Sequence, residues 1–442
     1  MTSRPARTSR RPARSSTVGR RALLLPVAVA SALALAACGS GPAADTDDAA
    51  DPDAAATATT GAGHGFVEGA DELQEPQLRL VALADGALTA FDPATEQSVT
   101  LAEGVDATRL GTDGRYVLAS TDDGAVTLVD GGAWTVPHGD HSHYYLADPR
   151  VVAEPGEIDG GDGAGEARIA SSASLTAVAF DGSGTGVVLD GEALADGELD
   201  ERARVEGLGA EGVLVPLGGL LVASTATGAA GEDVADAVRV LTADGDEVDG
   251  ALASCPDLRG AAATRVGVVV GCSDGAVLVT EGDDGSSAAV ERVPYPAGTA
   301  PADVATAFEQ RPGRPALAAV AGTRGAWLLD ARARAWTLIE TPEPLLRATA
   351  VGDPDDTVVG VDASGRVVVL SPDGLVAQTE PLLAGDLVDG ALPEGVRLEV
   401  DASRSYVASP STGQVHEIDH ADAARVARSF ALPASLLVET GR

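Results

Sequence analysis

The sequence predicts an all-β protein, a single β-propeller of seven or eight blades behind a signal peptide and a flexible tether. Three observations predict it. From about residue 78 onward one phrase recurs eight times: an apolar alternating strand, a small or acidic residue with Gly, then a second such strand. Successive turns lie about 38 to 61 residues apart, most of them in the 40 to 50 expected when each unit is a four-stranded blade. Helical periodicity is scarce, confined to Ala/Arg stretches such as residues 300–309 and 420–428. A β-sandwich is the alternative architecture, but about 365 residues would make it unusually large.

The 442-residue chain opens with seven Arg and no acid in residues 1–37, followed by an apolar run from Ala22 to Ala37. This layout is that of an export signal, too short for a permanent membrane span. The run ends in Leu35-Ala36-Ala37-Cys38-Gly39, which resembles a bacterial lipobox and marks Cys38 as the first mature residue and the lipidation site. Removing the seven positive charges takes the formal net charge from −37 to −44. Residues 38–77 then read as a lipidated Cys and an acidic tether, because Ala, Asp, Gly, Thr and Pro cannot bury a core.

Residues 78–442 form the propeller. Its hairpins centre on Asp85-Gly86, Asp123-Gly124, Gly184, Gly228, Asp274-Gly275, Arg324-Gly325, Ser364-Gly365 and Thr412-Gly413. The chain contains no Asn, so Asp-Gly and Ser/Thr-Gly take the tight-turn positions that need positive φ. Export makes the remaining cysteine pair, Cys255 and Cys272, most simply a disulfide.

The longest spacing marks an insertion at about 131–170, loop-like in sequence and carrying Val136-Pro137-His138-Gly139-Asp140-His141-Ser142-His143-Tyr144-Tyr145. Three of the six His in the protein fall within six positions. Neutral imidazoles beside a carboxylate suit a borderline divalent cation, zinc above all, so His138, His141, His143 and Asp140 are the candidate ligands. His141 and His143 share a side only if the segment is locally extended. His64, at the end of the tether with Glu68, Asp71 and Glu72 behind it, is a further candidate. So is His416, in the last hairpin at the position that Thr127 holds in the second.

Other chemistries are excluded. With no Lys and no Asn, the chain cannot supply a P-loop, a Schiff-base enzyme or a Cys-His-Asn hydrolase. Its charge argues against a nucleic-acid binder, which needs a basic face. Gly271-Cys272-Ser273-Asp274-Gly275 fits G-x-S-x-G, but it sits in a hairpin turn, not between strand and helix. Asp181, Ser183, Thr185, Gly186 and Glu192 mimic a calcium loop on strand flanks, where a hairpin turn explains them better.

Together His138 to Tyr145 with Asp148-Pro149, Cys255-Pro256-Asp257-Leu258 with the second Cys, and Val415-His416-Glu417-Ile418-Asp419 resemble the AztD family of zinc metallochaperones. The resemblance implies an exported propeller that binds zinc and hands it to the solute-binding protein of a zinc ABC transporter. It also implies His138, His141 and His143 as ligands and a Cys255–Cys272 disulfide. Two positions depart from the family pattern: Arg259 stands where a His is usual, and the N-terminal segment holds only His64. On this reading the protein is a monomeric, non-enzymatic zinc carrier that touches the membrane only through its lipid. The alternatives are a metal-dependent enzyme on the same scaffold and a surface interaction scaffold without metal.

Overall fold

In the computed structural model the described residues are 65–138, 141–229 and 233–442. The stretch read as a signal peptide, Cys38 and His64 lie outside them, as do Gly139, Asp140 and the side chain of His138.

Among the described residues the strands form nine antiparallel sheets, eight of which follow one another along the chain as the blades of a propeller. Each of the eight hairpins read from the sequence is the second and third strand of a blade. Tyr116–Ser120 pairs with Val126–Asp130 in blade 2, for example, and Ser405–Ser409 with Gln414–Asp419 in blade 8. These central strands are buried along nearly their whole length, because a neighbouring blade packs on each face. The alternation expected from the sequence is therefore replaced by continuous burial. First strands are short and touch the first strands of adjacent blades, whereas fourth strands such as Gln97–Glu103 are largely exposed.

The ring closes by joining chain ends. Leu436–Thr440 pairs with Arg79–Ala84 and becomes the innermost strand of blade 1. Blade 6 has three full strands, Ala316–Ala321, Gly325–Asp330 and Ala335–Glu340. Its inner position narrows to the bridges Glu309–Ala318 and Gln310–Ala350.

Three local expectations differ. Residues 420–428 do not hold a helical turn; the chain re-enters the sheet as Arg425–Phe430, with Arg425 and Arg428 reaching Asp419 and Glu417 on the preceding strand. The one α-helix among the described residues is Gly191–Asp196, N-capped by Asp190 and ended by Gly197 at φ +87°. The segment taken as tether to residue 77 contains a strand, Asp71–Leu73.

Antiparallel pairing sorts the connections. Turns between first and second strands, and between third and fourth, emerge at one end of the ring. The second-to-third turns and the passages between blades emerge at the other. Both joined chain segments of blade 1 meet at the first of these, hereafter the closure end. At the opposite end Cys255, in the passage from blade 4 to blade 5, is disulfide-bonded to Cys272 of blade 5, with a Cα–Cα distance of 5.0 Å.

Candidate functional site

The histidine segment is a hairpin, not a loop. It grows at the closure end from the third strand of blade 2. The chain leaves Val126–Asp130 and turns at Gly131-Gly132. It then forms Ala133–His138 and His141–Leu146 before returning as the blade's fourth strand, Arg150–Ala153. The inserted part is thus shorter than the expected 131–170. Aromatic and β-branched side chains favour the extended form here. Pro137, which has no N–H to give to a ladder, is tolerated because Ala133–His138 is an edge strand. On the other side Asp71–Leu73 adds as a third strand, a strap laid along the hairpin.

Register decides which side chains meet, since directly opposed residues share a face. The pairs Trp134–Tyr145, Val136–His143 and His138–His141 follow one another toward the tip, and Glu72 lies opposite Tyr145 on the strap. His141 and His143 therefore project from one face of an extended strand, their rings 4.9 Å apart. His143 Nδ1–H donates to Glu72 Oε1 over 2.6 Å. His143 is largely covered, Glu72 about half exposed and His141 exposed.

Below the histidines the same face is packed. Trp134 stacks on Tyr145 at 5.3 Å, the Arg115 guanidinium lies 3.9 Å above the Trp134 ring, and Trp134 Nε1 donates to Gly65 O. Arg115 is itself held by Asp130 Oδ2 at 2.7 Å. The seat continues into the ring closure: Thr135 Oγ1 donates to Gly441 O at 2.7 Å, and Arg79 Nη1 donates to Gly131 O and Ala147 O. The imidazole pair is thus carried on a rigid stack rather than on a free loop.

The other candidates are placed elsewhere. His416 lies inside blade 8, buried, with Nδ1 2.8 Å from Ser429 Oγ; burial lowers its pKa. Thr127, its counterpart in blade 2, is likewise buried within its blade, and the hairpin grows beyond that strand's end. His420 is buried against Ser405 Oγ. Glu72, which the sequence set beside His64, lies against His143 in the fold; nothing in the pattern links positions 72 and 143. Among the described residues no three His, Cys, Asp or Glu side chains converge as a finished metal cage. The described part of the hairpin supplies two imidazoles, and the strap sets a carboxylate against one of them.

Beside the disulfide, Asp257, Arg259, Ser273, Asp274, Tyr295 and Thr299 line a depression of about 420 Å³. Arg259 is ion-paired with Asp257. Ser273 Oγ donates to Pro256 O at 3.1 Å, and strands Val268–Cys272 and Gly275–Glu281 flank it, so the G-x-S-x-G phrase is a hairpin turn.

No protein-family model matches the chain. Among solved structures it is similar to AztD from Citrobacter koseri, seen in an apo structure and in a second crystal structure, at 16% and 17% identity. Each has a TM-score of 0.66 and covers 83% of this chain and 98% of that one. It is also similar to the dihydro-heme d1 dehydrogenase NirN in complex with DHE, at 13% identity and a TM-score of 0.51, over 83% of this chain and 75% of that one. At such identities the likeness is one of architecture, and the chain has an AztD-like β-propeller fold.

Proposed function

We propose that the protein is a zinc-binding metallochaperone, not an enzyme. It captures Zn²⁺ on the hairpin outside the cytoplasmic membrane and passes it to the solute-binding protein of a zinc ABC transporter. One observation carries the reading: His141 and His143 share a face of an extended strand, and Glu72 holds Nδ1 of His143. A carboxylate on one imidazole nitrogen fixes the tautomer and ring orientation that a zinc-binding histidine uses. His138, opposite His141 in the register, and Asp140, which precedes His141 in the sequence, complete the proposed donor set of imidazole nitrogen and carboxylate oxygen.

The AztD-like fold and the His138–Tyr145 phrase support the same reading. Cargo held at the tip of an edge hairpin is open to stepwise exchange, an incoming ligand replacing one histidine at a time. The acidic chain, at −37 before processing, raises the local concentration of cations, an effect that salt weakens. The lipobox-like Cys38 supports an extracytoplasmic setting, with the protein anchored to the cell membrane as a lipoprotein.

Elemental analysis and calorimetric titration of the full chain carrying Cys38→Ser test the proposal. One tight zinc equivalent is expected, lost in His141→Ala/His143→Ala and weakened about 10- to 100-fold by Glu72→Ala. Zinc stoichiometry unchanged in the double variant would sink it.

A further inference from the structure

Nearly every arginine among the described residues directs its guanidinium at a carboxylate or a carbonyl. Five do not: Arg265, Arg311, Arg314, Arg332 and Arg397 take part in no side-chain hydrogen bond or ion pair with the described residues. Four of these five fall together. Arg265 lies in the first-to-second turn of blade 5, between Ala261–Ala263 and Val268–Cys272. Arg311 and Arg314 lie in the connection that enters Ala316–Ala321 of blade 6, and Arg332 lies in the turn between Gly325–Asp330 and Ala335–Glu340. All three connections open at the closure end, half-way round the eight-blade ring from the histidine hairpin.

The cluster is built, not incidental. The stem of Arg314 fills the place where Gly352 has no side chain: a Cβ there would lie 2.5 Å from Arg314 Cβ and 2.8 Å from its Cγ. Arg311 N donates to Ala350 O, and the backbone N–H of Arg314 donates to Arg311 O, which fixes the short connection between them. Nearby carboxylates accept hydrogen bonds within their own turns, and none of them is ion-paired with these four guanidinium groups, although the charges of Asp401 and Asp353 act on Arg311 from a distance. Asp353 accepts from Thr357 N and Oγ1, Asp330 from the amides of Arg332 and Ala333, and Asp401 Oδ1 from the amides of Ser403 and Arg404. Four guanidinium groups, two half-buried and two exposed, are thus neighbours on a chain whose formal charge is −37: Arg314 and Arg265 act on Arg311, and Arg265 and Arg332 on Arg314. Burial first, and then the charge of Arg314, push Arg311 down to about 10.

We infer that Arg265, Arg311, Arg314 and Arg332 form a receptor for a phosphate-type oxyanion at the closure end of the propeller. Planar guanidinium forks match phosphate oxygens two at a time, and several together hold an anion that one exposed arginine would not. A free inorganic phosphate compound and the headgroup of an anionic phospholipid both present this chemistry. The inference is independent of zinc binding.

The test uses the full chain carrying Cys38→Ser. Inorganic pyrophosphate is titrated calorimetrically, and in parallel the protein is floated with phosphatidylglycerol vesicles and with phosphatidylcholine vesicles. Saturable pyrophosphate binding is expected, weakened at least tenfold by Arg311→Gln/Arg314→Gln, and also by the exposed pair Arg265→Gln/Arg332→Gln, but not by Arg397→Gln. Flotation with phosphatidylglycerol alone, lost in the same variants, identifies the headgroup as the source; pyrophosphate binding without flotation identifies a free oxyanion. No binding in either arm, or binding that survives both double substitutions, overturns the inference.

Discussion

Replacing Gly132 with Ala should loosen the histidine hairpin while leaving the ring intact. Gly132 holds φ +72°, and a Cβ there would lie 2.4 Å from Arg79 Nη1 and 2.5 Å from Ala147 O. Left-handed backbone costs a residue with a Cβ about 1–2 kcal/mol. The added methyl also displaces Arg79, whose hydrogen bonds to Gly131 O at 3.1 Å and Ala147 O at 2.8 Å tie the two ends of the hairpin's base together. A hydrogen bond from a charged group contributes about 1.5–3 kcal/mol. At the lower ends, strain plus one lost bond comes to roughly 2.5 kcal/mol, which makes local opening about a hundredfold more frequent. Native-state hydrogen exchange reads this directly. Amides of residues 133–146 should lose about two orders of magnitude of protection, whereas those of Val358–Asp362 in blade 7 should keep theirs. Equal protection of the hairpin in both proteins would refute the idea that Gly132 and Arg79 form its seat.

Two further outcomes are expected. Cys255→Ala/Cys272→Ala opens a bridge across 17 residues, which loop entropy values at about 3 kcal/mol, or roughly 4 °C in Tm for a domain of this size; a melt unchanged by the substitution or by reductant would contradict the staple. Glu439 is fully buried with no hydrogen-bond partner on either carboxylate oxygen, Arg442 Nη1 standing 3.4 Å away, and burial pushes its carboxyl well above the usual carboxylate range. The folded state therefore keeps a proton that the unfolded chain releases, and stability falls as pH rises from about 4.5 through the raised value. Glu439→Gln should flatten that fall in urea midpoints measured from pH 5 to 8; a parallel decline in both proteins would remove Glu439 as its source.

The central hairpins were legible for a physical reason. Strands such as Tyr116–Ser120 and Val126–Asp130 lie between two blades, so each needs an apolar run and a compact turn with Gly, and that phrase survives in the sequence. Inner strands leave little trace: Ala261–Ala263 and Leu398–Val400 are three residues long, and in blade 6 the position shrinks to isolated bridges. Outer strands face water and need no apolar run, as Gln97–Glu103 shows, where Gln, Ser, Thr and Glu are mixed with Val99 and Leu101. The closing strand Leu436–Thr440 resembles any other apolar run until its partner is known. The same division holds at the site. Crowded histidines mark the insertion, and an extended form puts His141 and His143 on one side. The carboxylate of Glu72 depends on pairing between segments about seventy residues apart, which local pattern does not encode.

That pairing explains why the hairpin sits where it does. An insertion after the third strand of any blade would emerge at the closure end, but only beside blade 1 does it meet both chain segments that seal the ring. Here Thr135 bonds to Gly441, Arg79 at the start of the sealing pair bonds to both sides of the hairpin's base, and the strap delivers Glu72 to His143. The seam is the one place where the ring is held by strands far apart in sequence, and so where local opening costs least loop closure. A ligand that joined Glu72 to His141 and His143 would brace strap, hairpin and seam together, since whatever binds only the folded arrangement stabilises it by mass action. Ligand occupancy of the histidine face and integrity of the seam would then be linked, and removal of such a ligand would also release the brace.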